Sequence, residues 1–190
     1  MANGRVWKRR FAISAAALAL ITIISAVLIF WLRSTTVVLV IRHAERNDAA
    51  SCSPPAAGPP LSQVGETRAQ VLAHVAGEAG VAAIYASEFC RTQQTVQPLA
   101  TQLGLPVTEV DQVAPNGVAD VDALIAQVWS NNTGQVVLIA GHTNTVPVII
   151  EKLGGGTISP IAESEFDNLF VVTIPRWGQT KVVRLKYGSP

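Results

Sequence analysis

The stretch Val37–Arg46, VVLVIRHAER, decides how the rest of the chain is read. Five aliphatic residues in a row, mostly β-branched, read as a strand buried on both faces of an α/β sheet. Arg42, His43, Glu45 and Arg46 then fall just past its carboxyl end, where open α/β sheets place their binding crevices. An imidazole between two guanidiniums is costly to assemble unless an anion comes to meet it. What else the chain brings to that crevice follows from the order of its elements.

Upstream lies Phe11–Leu32, FAISAAALALITIISAVLIFWL, twenty-two residues without a charge. As a helix it would be about 33 Å long, enough for a hydrocarbon core of roughly 30 Å. Arg5, Lys8, Arg9 and Arg10 precede it and only Arg33 closely follows. The positive-inside rule then makes 1–10 a cytoplasmic basic N-terminus, 11–32 a transmembrane signal anchor, and 33–190 an extracytoplasmic domain. A cleaved signal peptide is the competing reading. It fits less well, because the apolar core exceeds the usual length and no A-x-A-like site closes it. Trp31 suits the outer interface. The net charge of +1 provides no general field for nucleic acid, and two cysteines, Cys52 and Cys90, make neither a disulfide framework nor a multi-cysteine zinc site.

Downstream, 47–60 (NDAASCSPPAAGPP) is an irregular loop walling the first strand end. Leu61–Gly80 reads as a helix capped by Ser62, with Leu61, Val64, Val71, Leu72 and Val75 as its apolar stripe and His74 beside it in a structural or solvated place. Val81–Ala86 is a strand, and a helix with Phe89, Val96, Leu99, Ala100 and Leu103 at core spacing ends at Gly104. Pro106–Val110 is a strand, 111–117 a loop, and 120–129 a helix with Val121, Leu124, Ile125 and Val128 inward. Gln135–Ala140 is a buried strand and Thr145–Leu153 a helix. Asn168–Ile174 and Lys181–Lys186 form a hairpin around PRWGQT. The alternation predicts an α/β fold: a mainly parallel sheet, helices on both faces, and an antiparallel C-terminal edge hairpin.

Three strand ends then carry polar residues on one side of the sheet. The first delivers Arg42 and His43, the second Ser87 with Arg91 a turn later, and the 135–140 strand Gly141 and His142. Two histidines and two arginines can converge there, beside helix amino ends starting near Glu88 and Asn144 that favour an anion. Arginine's planar fork of donors suits a phosphate. Taken singly, each residue has a plain alternative: Arg42 and Arg91 paired with Glu45, Glu88 or Asp111, and His142 an ordinary strand-end histidine. All four at corresponding strand ends favour the pocket. A zinc site lacks a third ligand, and guanidiniums repel a divalent cation.

Arg42-His43-Ala44, the segment Tyr85–Thr95 (YASEFCRTQQT) and Gly141-His142 resemble the three signatures of the histidine phosphatase (phosphoglycerate mutase-like) superfamily, and Leu61-Ser62-x-x-Gly65 also fits. The resemblance spans about 36–174. It implies a phosphomonoester hydrolase in which His43 is the nucleophile and becomes a phosphohistidine. Arg42, Arg91 and His142 would hold the phosphoryl oxygens, with no metal or other cofactor. A neutral imidazole is a usable nucleophile near pH 7, and cationic neighbours keep it neutral.

The chain departs from the pattern at the general acid. Acid-phosphatase relatives carry His-Asp where this chain has His142-Thr143, and the glutamate of mutase-like relatives has no clear match in EVDQVAPNG. Glu45 and Asp111 are the candidates, with Glu109, Glu163 and Glu165 behind them. RHAER in a compact domain behind a membrane segment resembles bacterial envelope phosphatases, which implies a single-pass inner-membrane protein facing the periplasm or the exterior. The expected substrate is then a phosphorylated small molecule or glycan. Two alternatives stay open: a phosphohistidine protein phosphatase, which needs a cytoplasmic domain, and a phosphate-binding module without turnover. A Cys52–Cys90 disulfide and two free thiols both remain open.

Overall fold

The computed structural model describes residues 17–30, 35–53 and 57–188. Contacts divide the chain into two compact units, Met1–Ser34 and Thr35–Pro190. In the first, 17–30 is a helix (α1) whose side chains are exposed all round. The rest of the expected anchor, 11–16 and 31–32, lies outside the described residues. Among the described residues no helix is long and apolar enough to cross a membrane.

The second unit is a six-stranded sheet built from β1 (Thr36–Arg42), β2 (Val81–Ala86), β3 (Val107–Glu109), β4 (Val136–Gly141), β5 (Asn168–Ile174) and β6 (Lys181–Lys186), in the order β3-β2-β4-β1-β5-β6. The first four strands are mutually parallel. β5 returns antiparallel beside β1, and β6 closes the edge. The sheet is therefore mixed, with the parallel part and terminal hairpin expected from the sequence.

Alternation along each strand divides the core in two. Val38, Val40, Val137 and Ile139 face α4 (Asp122–Asn131) and α5 (Thr145–Ile150), where Leu124, Val128, Ile149 and Ile150 are buried. Leu39, Ile41, Ile84 and Leu138 face α2 (Gln63–Ala76) and α3 (Cys90–Leu103) through Leu72, Val96 and Leu99. A residue displaced by one position would change faces, which pins the register of β1 between β4 and β5.

Two helices differ from the sequence expectation. Val64 and Val75 of α2 are 61% and 46% exposed, and the buried face is Gly65, Ala69, Leu72, Ala73 and Ala76. Small residues let α2 lie close to its neighbours: a Cβ on Gly65 would fall onto the Glu45 carbonyl oxygen. Phe89, expected in the core, instead stands at the N-cap of α3 with extended backbone. Ser62 does cap α2, accepting from the Gly65 N–H at 3.2 Å. α3 ends where Gly104 turns left-handed, at φ +66°, a conformation glycine adopts without strain.

Candidate active site

Parallel pairing brings the strand ends into line. Arg42 is opposite Gly141 across β1 and β4, and the His43 N–H donates to the Gly141 carbonyl at 2.9 Å. Ala86 is opposite Ala140, so Ser87 emerges beside His142. The His43 and His142 rings lie 5.4 Å apart. A cavity of about 290 Å³ opens there, walled by Arg42, His43, Arg91 and His142 with Arg46, Phe89 and Glu163 among its other residues. The structure thus assembles the two histidines and two arginines singled out in the sequence.

Local bonds fix how each imidazole faces. The His43 Nδ1–H donates to the Ala44 carbonyl at 2.7 Å, which leaves the lone pair on Nε2. The adjoining loop is tied to α3: the Ala44 N–H donates to Thr95 Oγ1 at 2.9 Å, and that hydroxyl donates to the Arg91 carbonyl. This is the structural work of the threonine ending RTQQT. On the other side, the Thr92 hydroxyl donates to the Phe89 carbonyl at 2.6 Å. Ser87 can then donate to Thr92 Oγ1, and the His142 Nε2–H to Ser87 Oγ, both at 2.8 Å. His142 Nδ1 is left as an acceptor toward an Arg91 terminal nitrogen at 3.5 Å. Below it, the His142 N–H donates to Thr145 Oγ1, which donates to the fully buried Gln112; Gln112 also donates to the Ala140 carbonyl.

Both imidazoles are held neutral. Burial pulls His43 down to about 3, opposed by its bond to Ala44 and assisted by His142, Arg91 and Arg42. Burial, then Arg91, Arg42 and Arg46, takes His142 to about 3 as well. The arginines are held by hydrogen bonds and by ring stacking. Arg42 donates one terminal nitrogen to the carbonyls of Ala162, Glu163 and Glu165 at 2.8–3.1 Å and the other to Glu163 Oε2 at 2.8 Å. Phe166 stacks on its guanidinium at 4.1 Å, as Phe89 does on Arg91 at 4.3 Å. The Nε donors of both arginines are buried and find no acceptor among the described residues.

The carboxylates are distributed differently from the expectation. Glu45 turns from the cavity to Arg68, with contacts of 2.6–3.0 Å. Burial would raise its carboxyl, but the Arg68 hydrogen bonds hold it below the usual range. Asp111 is exposed and not among the cavity residues. Glu109 accepts from Gln93, and Glu165, at about 2, serves the Ala162 N–H, Lys186 and Arg184. Burial raises the Glu88 carboxyl, yet Glu88 does not line the cavity either. Among the described residues Glu163 is the carboxylate that does. Its segment, 161–167, has no periodicity by which a sequence reading could place it over β1. Cys52 and Cys90 are joined in a disulfide that staples the 47–60 loop to the first residue of α3, next to Arg91. Among the described residues no cluster of three or more His, Cys, Asp or Glu is placed to hold a metal ion.

Residues 38–114 match the family model of the histidine phosphatase superfamily (branch 1). No curated protein matches the sequence. Among solved structures, the fold is similar to the protein histidine phosphatase SixA complexed with tungstate (TM-score 0.61, 21% identity, 79% of this chain and 96% of that one). It is also similar to a putative phosphohistidine phosphatase SixA from Nakamurella (TM-score 0.58, 16% identity, 82% and 98% covered). A mycobacterial glucosyl-3-phosphoglycerate phosphatase shares it too (TM-score 0.55, 15% identity, 82% and 100% covered).

Proposed function

Because residues 38–114 match the family model of the histidine phosphatase superfamily, we propose that the chain is a phosphatase working through a phosphohistidine on His43. The observation carrying this reading is the convergence of Arg42, His43, Arg91 and His142 on one cavity. A phosphate monoester would enter with its oxygens toward the two guanidiniums, since both arginines line the cavity. Neutral Nε2 of His43 attacks phosphorus as the bond to the leaving oxygen breaks. The guanidiniums neutralise the equatorial oxygens. His142 Nδ1, an acceptor toward Arg91, takes up a proton when a dianion binds and becomes a further donor. Water then attacks phosphorus, the P–N bond breaks, and inorganic phosphate leaves with Nε2 restored as a lone pair. Every step uses groups of the chain and water, so no metal enters the scheme.

The leaving oxygen needs a proton, and Glu163, the carboxylate in the cavity wall, is paired with Arg42. That arrangement favours substrates whose leaving group is stable without a strong acid. It gives weight to a second reading, hydrolysis of phosphohistidine on a protein, where imidazole departs. The Cys52–Cys90 disulfide argues against that reading, because it suits an oxidising compartment and the second reading needs a cytoplasmic domain. The disulfide, the basic 1–10 segment and apolar 11–32 together support an anchored extracytoplasmic enzyme acting on a phosphorylated small molecule or glycan.

The test is phosphate release from p-nitrophenyl phosphate by the full chain in mild detergent with a metal chelator present, beside His43→Ala. Activity in the wild type and none in the variant is expected. Retained activity in His43→Ala overturns the mechanism. A reporter fused after Pro190 reads the side of the membrane independently.

A further inference from the structure

The end of the sheet opposite the cavity has a surface chemistry of its own. Thr36, the first residue of β1, is opposite Ile174, the last of β5, so the 175–180 turn protrudes beside the start of β1. Trp177 at its tip is 69% exposed, and exposed Arg176 and Lys181 flank it. The connection from α4 to β4 reaches the same end: the Gly134 N–H donates to Thr36 Oγ1 at 2.8 Å and the Val37 N–H to the Gln135 carbonyl at 3.0 Å. Trp129, in the last turn of α4, is 39% exposed there. Val75, exposed in the last turn of α2, precedes β2 at this same end. Both tryptophans of Thr35–Pro190 therefore lie at the amino ends of the parallel strands, away from the catalytic cluster. Glu78, in the turn before β2, is a carboxylate at this end.

Tryptophan exposed beside basic residues is the chemistry of a membrane interface, where the ring body is buried and the indole N–H stays hydrated. The chain itself brings that interface near. Only residues 33–35 separate the apolar segment 11–32 from Thr36, a span of about 10 Å at full extension. We propose that this end of the sheet rests on the bilayer surface, with Trp177 at headgroup level and Arg176 and Lys181 toward lipid phosphates. The proposal rests on the anchored reading above and not on the phosphatase chemistry. Its consequence follows from the length of β1, whose seven residues at about 3.3 Å each hold the cavity roughly 23 Å from the membrane. The pocket then draws phosphate esters from the aqueous phase and not from headgroups of its own leaflet.

The experiment uses the full chain in phosphatidylethanolamine–phosphatidylglycerol vesicles, with and without brominated acyl chains. Trp177 is left as the sole tryptophan by Trp7→Phe, Trp31→Phe and Trp129→Phe. A second chain carries in addition Trp177→Phe and Asn116→Trp, which moves the reporter to the exposed loop at the cavity end. Thermal unfolding by circular dichroism confirms that both chains are folded. Trp177 should lose most of its emission in brominated vesicles and the reporter at 116 none. In a chain that floats with the vesicles, an unquenched Trp177, or a reporter at 116 quenched as strongly, overturns the docking alone. A chain that does not float overturns the docking and the anchor together. Phosphate release from p-nitrophenyl phosphate reports on the chemistry separately.

Discussion

Two arginine–carboxylate pairs flank the end of β1. Arg68 and Glu45 meet through three contacts of 2.6–3.0 Å, with side chains 10% and 21% exposed, and Arg68 also donates to the Tyr187 carbonyl. Arg42 and Glu163 meet through one, between a guanidinium 2% exposed and a carboxylate 79% exposed. In the first pair both partners are tied down, and they join the loop after β1 to α2 and the C-terminal segment. In the second only the arginine is tied down, by three backbone carbonyls, that of Glu163 among them, which bind it independently of the Glu163 carboxylate. A half-buried bidentate pair costs stability when broken; an exposed carboxylate can swing away at little cost. Glu45 thus serves as a structural clamp, while Glu163 occupies a place that a phosphate can take.

Acid titration separates the pocket from the clamp, and it carries the largest expected effect. His43 and His142 have folded values near 3, below the 6.5 of an unconstrained imidazole. Below 6.5 the unfolded chain binds protons that the folded chain does not, so stability falls as pH falls and keeps falling toward 3. Each histidine contributes about 1.4 kcal/mol per pH unit, or roughly 5 kcal/mol for the pair between pH 6.5 and 4.5. The clamp acts lower: the Glu45 carboxyl is depressed, so its contribution is intact above about 4.5 and is lost as pH falls through its folded value. Urea unfolding from pH 7 to 4 should show the upper phase about halved by His142→Asn, with His43 supplying the rest, and preserved in Glu45→Gln. An upper phase unchanged in His142→Asn would contradict the burial of a neutral imidazole.

Cutting the clamp at neutral pH comes next. Glu45→Ala strands the Arg68 guanidinium, at a cost of about 2–3 kcal/mol, less than for a fully buried pair because both side chains keep some solvent. Thermal unfolding should shift down by roughly 4–10 °C, with p-nitrophenyl phosphate hydrolysis retained below the new midpoint. A general acid at this position would give the reverse, near-normal stability with reduced turnover.

What the sequence disclosed about these two regions follows from the range of the forces involved. Arg42, His43, Arg91 and His142 stand where a local pattern ends, a hydrophobic run giving way to charge, and parallel pairing aligns such ends with no further information. The bounds of β5 and β6 are likewise local, set by the PRWGQT turn. The clamp is harder to see, because Glu45 and Arg68 belong to different elements and only the closeness of α2 joins them. That closeness rests on Gly65 and a face of alanines, which a search for large apolar residues passes over in favour of Val64 and Val75. Phe89 looks like core until the N-cap turns it into the pocket. The 161–167 segment, which supplies three carbonyls and a carboxylate to Arg42, has no repeat at all. The Cys52–Cys90 bond depends on how the 47–60 loop folds back, which spacing alone left open.

The smallest effect decides what Glu163 is. If its carboxylate merely occupies the anion's place on Arg42, Glu163→Gln removes a competitor. The KM for p-nitrophenyl phosphate should then fall by roughly 2- to 5-fold, the range of an exposed ion pair of 1 kcal/mol or less, with kcat and the unfolding midpoint unchanged. If instead it swings off Arg42 to protonate the leaving oxygen, the variant should be nearly normal on p-nitrophenyl phosphate, whose leaving group needs no proton. On an alkyl phosphate its kcat should drop by about 100-fold or more, the usual contribution of a general acid. Measuring both substrates in the one variant separates the roles, because a competitor's removal helps the two esters alike and an acid's removal harms only the alkyl one. The pairing with an arginine that backbone carbonyls already hold favours the first outcome, and with it a substrate whose leaving group is stable as it departs.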